Sequence, residues 1–242
     1  MKKLVIFSIF LLLFLKESHA QGEFRFGLQI SPSFSWINTE NKHIKSNGPN
    51  TGLKLGILGE YYFAENYSFV SGLGFAFNQG GTLKYDNETI IWKNSSLEPP
   101  LTDTLSKGAN LKYGIQYIEI PLGLKMTTKE FGYFSFFAEP NMTINLKTKA
   151  RGSVEAVGIQ EEKINIGNEV KGIALSWGIG AGMEYHISTS TALVAGIFYQ
   201  NIFTDMTSDN SIDVKNATDN NYKADNSSAT GSGLTIRLAV MF

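Results

Sequence analysis

Few residues in this 242-residue sequence could act as a nucleophile, a general base or a metal ligand. The chain contains no Cys and three His, which excludes thiolate catalysis and thiolate metal sites. Beyond the first 20 residues, only His43 and His186 remain. A serine hydrolase needs a His held between a Ser and an acid, and neither histidine stands in a recognisable motif of that kind. We therefore predict no catalytic site, no metal and no cofactor, with a lipid acyltransferase or deacylase that uses one of these histidines as the alternative.

Two arginines and four glutamates fall inside segments of alternating polarity, each on the polar side of its segment. They are Arg25, Glu60, Glu119, Glu139, Glu184 and Arg237. Arg is suited to buried carboxylate pairing because its guanidinium offers a planar fork of donors. We predict that these six residues form an ionic network that fills the interior of the fold, with Arg237 paired to Glu119 or Glu139. The alternative is that each charge simply neutralises a neighbour.

The segments that must position these residues alternate with a period of two, which is the period of a β-strand. In the first segment, Phe26, Leu28 and Ile30 alternate with small or polar residues. The eight segments are residues 24–36, 51–63, 67–77, 111–126, 133–147, 173–186, 191–203 and 234–242. The fourth changes parity near Gln116, which predicts a β-bulge in a strand that also accommodates Pro121.

The chemistry of the two faces predicts the fold. The apolar face carries no charged residue, and the polar face is mostly Gly, Ser and Ala with isolated charges. A soluble lipocalin-like barrel, the alternative, would present a charge-rich face to water. Short links alternate with long ones at residues 38–50, 86–110, 148–171 and 204–230, as in outer-membrane barrels. We predict an all-β fold, an eight-stranded antiparallel transmembrane up-and-down β-barrel, with long loops extracellular and short turns periplasmic.

Both ends of the chain carry predicted sorting signals. Two lysines, an apolar run at residues 4–15 and small residues at 18 and 20 predict a signal peptide over residues 1–20, cleaved between Ala20 and Gln21. The barrel domain then spans residues 21–242. The terminal Phe242 ends an apolar strand, and we predict that it is an assembly signal for the barrel-assembly machinery. The formal net charge of −1 argues against a nucleic-acid partner.

Two stretches resemble a known family. Residues 117–125 (YIEIPLGLK) and 177–185 (WGIGAGMEY) are similar to strand motifs of the PorT-like outer-membrane β-barrel family of Bacteroidetes. The resemblance covers the chain after residue 20 and implies an eight-stranded barrel. It also implies relatives linked to type IX secretion and gliding beside many of other roles.

Two functions follow as hypotheses. In the first, the chain is a non-enzymatic outer-membrane barrel with a side-chain-filled lumen, acting as a structural or binding protein through long extracellular loops. In the second, it is an accessory outer-membrane component of type IX secretion or gliding machinery. The predicted partners are outer-membrane lipid and a surface or secretion-machinery protein. A small-solute porin is disfavoured because eight strands leave room only for side chains.

Overall fold

The computed structural model describes residues 23–93, 95, 104–208, 212–215, 221–224 and 226–242. The predicted cleavage site at Ala20 and Gln21 lies outside these residues. The strands are β1 (Phe24–Thr39), β2 (Ile44–Ala64), β3 (Tyr67–Tyr85), β4 (Thr89–Ile90), β5 (Asn110–Thr127), β6 (Phe134–Ala156), β7 (Ile159–Asn165), β8 (Ile173–His186), β9 (Ala192–Ile202), β10 (Asp213–Lys215), β11 (Tyr222–Ala224) and β12 (Ala229–Met241). A 3₁₀ turn covers Gly167–Glu169.

Eight of these strands close into one antiparallel ring, which confirms the predicted fold class. The ring runs β5-β3-β2-β1-β12-β9-β8-β6 and closes through β5 and β6. The first strand, β1, pairs with the last, β12, with Leu28 opposite Val240 and Phe34 opposite Leu234. Closure leaves the membrane-facing part of the sheet without a free edge, which is how a strand protein satisfies its backbone hydrogen bonds in lipid.

The alternation seen in the sequence becomes two surfaces. Apolar side chains on the outside are highly exposed, as in Leu28 and Ile197 at 60% each. Inward residues of the same strands are buried, including Glu60, Lys125 and Glu184. Among the described residues, no helix has the length and apolarity needed to cross a membrane. In its membrane part, the outside of the ring is thus an uncharged apolar belt, and the charges lie within.

Several strands continue well past the belt into segments predicted as loops. β2 begins at Ile44, β3 runs to Tyr85 and β6 runs to Ala156, so the long links are much more structured than the sequence indicated. Above Leu146, β6 exchanges its neighbour β8 for β7. Two of the long links also contribute a small sheet in the order β11-β10-β4. We call the strand segments beyond the belt, together with β4, β7, β10, β11 and the links between them that the structure describes, the outer extension.

The predicted bulge lies on the neighbours of β5 rather than on β5 itself. The register shifts between Ala76 and Gln79 in β3 and at Thr148 in β6, both opposite Gln116. Odd residues of β5 point inward along its whole length, from Leu111 to Lys125. The apparent parity change arises because the interior itself changes at Gln116. It is polar on the side towards the short turns and apolar on the side towards the outer extension.

Candidate functional site

The lumen near the short turns holds a buried group that we call the lower ionic cluster: Arg25, Glu60, Tyr62, Lys125 and Glu184. Lys125 Nζ lies 2.5 Å from Glu60 Oε1 and also contacts Glu184. Arg25 Nη1 lies 3.3 Å from Glu184 Oε2 and 3.9 Å from Glu60 Oε2. Its guanidinium also donates to the Tyr62 hydroxyl at 3.1 Å, which in turn donates to Glu60. Two cations and two carboxylates therefore balance in a site screened from water.

A second group, the middle ionic layer, lies further along the lumen. Arg237 Nη1 is 2.7 Å from Glu139 Oε2, and its guanidinium carbon lies 3.7 Å from the centre of the Phe198 ring. Stacking of this kind is a property of Arg that Lys does not share. Lys54 Nζ lies 2.8 Å from Glu119 Oε1 and 2.8 Å from Gln200 Oε1. Each ion pair joins strands that are not neighbours in the ring, since β3 lies between β2 and β5, and β9 and β8 lie between β12 and β6.

The six charged residues predicted to face inward all lie in these two groups. Arg237 contacts Glu139, one of its two predicted partners, and Glu119 binds Lys54 instead. The sequence prediction omitted Lys54 and Lys125 from the network, although their parity also places them inside. That parity was the available signal, whereas the choice of partner depends on strand tilt, which a single sequence does not reveal.

The space left in the lumen is small. One cavity of about 50 Å³ lies between Lys54, Glu119 and Arg237. A second of about 30 Å³ lies above it, beside Tyr117 and Asn145. Such volumes hold one to a few water molecules. Glu139 Oε1 and the Tyr117 hydroxyl are buried without a protein partner in the described structure, and ordered water in the smaller cavity, which Tyr117 lines, would satisfy its hydroxyl.

Above the polar lumen, the outer extension has an apolar interior centred on Trp92. Trp92 is 1% exposed, and its indole N–H donates to the Tyr113 hydroxyl at 3.2 Å. Its backbone has a φ of 45°, an uncommon conformation for a bulky residue. Gly152 makes room for the ring, since a Cβ there would lie 2.3 Å from Trp92 Cη2. The link after β3 therefore folds back and closes the barrel from above.

The outer extension is tied together at Asp205. Its carboxylate accepts hydrogen bonds from Lys171 Nζ at 2.6 Å, from the Ala229 N–H at 2.9 Å and from the Thr207 N–H at 3.2 Å. Burial alone would raise the pKa of Asp205, but these hydrogen bonds and the charge of Lys171 hold it below its ordinary value. One carboxylate thus joins the segments before β8, after β9 and at the start of β12.

The two histidines do not form a catalytic arrangement with neighbours in the described structure. His186 Nε2 lies 3.0 Å from Ser135 Oγ and 3.8 Å from Glu130 Oε1. A hydrolytic triad needs the acid on one ring nitrogen and the hydroxyl on the other, whereas both groups here face Nε2. Ser135 is 1% exposed, which bars a substrate. His43 is exposed in the link between β1 and β2.

The last residue completes the seam of the ring. Phe242 N–H donates to the Phe26 carbonyl at 2.6 Å, and Phe26 N–H donates to the Phe242 carbonyl at 3.1 Å. The Phe242 side chain is 58% exposed on the apolar surface. Its predicted role as an assembly signal stays a prediction.

The comparison with protein families agrees with this architecture. A family model described as outer membrane protein beta-barrel domain matches residues 18–203. No curated protein matches the chain. Among solved structures, the chain is similar to neisserial surface protein A at 12% identity, covering 90% of this chain and 95% of that one, with a TM-score of 0.45. It is also similar to Ail of Yersinia pestis (13% identity, 91% and 99% covered, TM-score 0.38) and to outer membrane protease OmpT from Escherichia coli (6%, 93% and 97%, 0.41). At these identities the likeness concerns the fold alone.

Proposed function

Because the chain belongs to the outer membrane protein beta-barrel domain family, we propose that it is a non-enzymatic outer-membrane barrel that does not conduct solutes and that binds a partner through its outer extension. The proposal rests on one observation: the interior of the barrel is filled at two successive levels. Ion pairs occupy the membrane part, and Trp92 with its apolar neighbours occupies the part above. A barrel built as a conduit would leave a continuous path through both layers.

The outer extension supports a binding role because it is a rigid platform rather than a set of loose links. Its strands continue from the barrel wall, its interior is packed, and Asp205 joins three of its segments. Ion pairs between Lys93 and Asp213 and between Lys215 and Glu88, both at 2.6 Å, attach β10 to the link after β3, which contains β4. Recognition in proteins is commonly carried by segments presented on such a scaffold.

We propose that the outer extension faces outward from the cell and the short turns face the periplasm. The absence of Cys from the sequence allows a direct test with single-cysteine variants. Val157, at the tip of the β6–β7 hairpin, is 85% exposed, and Thr128 lies exposed at the opposite end. In intact cells, a membrane-impermeant maleimide should label V157C and should label T128C only after the outer membrane is opened. The reverse pattern would refute the orientation.

We also propose that the chain is PorT-like, as the two strand motifs suggest. The motif glutamates, Glu119 and Glu184, each bind a lysine in the lumen, which gives both motifs a physical role in this chain. The accessory role in type IX secretion is the second hypothesis. Deletion of the gene should leave type IX cargo export unchanged if the binding role is correct, and loss of export would favour the accessory role instead.

A further inference from the structure

One outward face of the outer extension is rich in cations. Lys112 on β5 and Lys149 and Arg151 on β6 are exposed on the outside of adjacent strands. Arg151 lies opposite Gly114, and Lys149 lies opposite Gln116. Lys112 lies opposite Ser153, one step further from the membrane. These three residues, which we call the basic face, have no ion-pair partner within the described part of the chain.

The basic face begins where the apolar belt ends. Lys149 lies opposite Gln116. The next pair towards the short turns is Tyr117 with Lys147, and the one after it is Ile118 with Leu146. Ile118 and Leu146 point outward with the belt. Lys149 therefore lies close to the lipid-facing Leu146 along β6. This is the level at which we expect lipid headgroups to meet the barrel.

A groove of about 470 Å³ lies over this face. Its floor is formed by the basic face, and the β6–β7 hairpin supplies Glu155, Glu161, Glu162 and Lys163 at its border. By contrast, Lys171, just before the neighbouring strand β8, is bound to Asp205. The three cations of the basic face are therefore adjacent, exposed and open to an external anion.

We infer that the basic face binds the phosphate groups of an outer-leaflet glycolipid of the lipopolysaccharide type. Three cations in register offer the charge complement of a phosphorylated headgroup, and Arg151 can bind a phosphate through two donors. Their position beside the belt lets the acyl chains of the same lipid lie against the apolar surface. The inference rests on the proposed outward orientation of the outer extension, which the V157C labelling tests separately.

The test is a titration of the full barrel, refolded in a neutral detergent, with fluorescent lipopolysaccharide. Each Lys or Arg near an anionic lipid surface adds about fivefold in affinity. Because the three glutamates at the border oppose this attraction, the K112Q/K149Q/R151Q variant should lose at least about tenfold rather than the full product. The matched control K42Q/K107Q/K129Q makes the same change in net charge at exposed sites away from the groove, and it should bind as the wild type does.

Two further probes fix the source of the phosphate. Lipopolysaccharide stripped of its phosphates should bind the wild type as weakly as the intact lipid binds the triple variant. Inorganic pyrophosphate should compete only at far higher concentration, and equal competition would assign the site to a free phosphate and overturn the lipid proposal. Equal binding by the triple variant and the wild type, or an equal loss in the control, would also overturn it. Heat-modifiable migration on gels, together with the single variants K149Q and R151Q, separates loss of binding from loss of folding.

Discussion

Removal of the Lys125 charge should strongly destabilise the barrel. Lys125 is 1% exposed and contacts two carboxylates, Glu60 and Glu184, that are themselves almost fully buried. In the Lys125→Met variant, these two carboxylates face each other with Arg25 alone between them, at 3.3 and 3.9 Å. Met is unbranched and only one heavy atom shorter than Lys, so the change tests charge more than packing. Breaking a buried ion pair by removing one partner costs about 3–5 kcal/mol, and we expect a loss of free energy of unfolding in that range.

A second substitution should restore part of this loss. In K125M/E184Q, Arg25 and Glu60 remain as a balanced pair, so the double variant should be about 1–3 kcal/mol more stable than the sum of the single changes predicts. The assay is urea unfolding of the barrel in lipid vesicles, followed by tryptophan fluorescence, under conditions where unfolding and refolding curves coincide. The exposed-site control K129M should stay within about 0.5 kcal/mol of the wild type. A K125M value within about 1 kcal/mol of the wild type, or strict additivity in the double variant, would refute the charge-balance reasoning.

Three other predictions concern the belt, the apolar interior and the Asp205 junction. Ile197→Lys places a charge on the belt and should cost about 2–4 kcal/mol in vesicle unfolding, whereas T189K, at an exposed position in a short turn, should be nearly neutral. Gly152→Val should displace Trp92, destabilise the outer extension by about 1–3 kcal/mol and raise its rate of hydrogen exchange. The control G172A should do neither, because nothing lies within 4 Å of the added carbon. Unchanged exchange in G152V would contradict the packing described. Because the folded-state pKa of Asp205 lies below its unfolded value, its stabilisation is fully present above about pH 4 and is lost as pH falls further. Protease sensitivity of the segment around residue 205 should therefore rise below that pH in the wild type and be already raised at pH 7 in D205N.

The membrane part of the fold could be predicted from the sequence because lipid imposes a strict rule on one face. Every outward position between Phe24 and Phe34 in β1 is uncharged, and so is every outward position between Leu234 and Phe242 in β12. Parity alone therefore assigned the charged residues to the lumen. Which cation meets which carboxylate could not be predicted, since Arg237 reaches Glu139 across the ring and that distance depends on strand tilt and shear.

The outer extension escaped prediction for a physical reason. Beyond the belt, water replaces lipid outside the barrel, and apolar side chains replace ions inside it. In β6 the outward residues become Lys149, Arg151 and Ser153, while Gly152 and Val154 point inward. The bulges at Asn78 and Thr148 shift the parity at the same level. A strand whose pattern inverts in this way is easily mistaken for the start of a polar loop. The fold-back of Trp92 depends on contacts far apart in the sequence and has no local signal.

Both layers of the interior are closed in this structure, and we propose that the barrel therefore serves as a binding surface rather than a conduit. Conductance of the purified, refolded protein in planar lipid bilayers tests this most directly. The structure predicts insertion without a steady current, because the lumen cavities hold no more than a few waters and the apolar core around Trp92 lies above them. A large, stable conductance from the wild-type barrel would contradict the account.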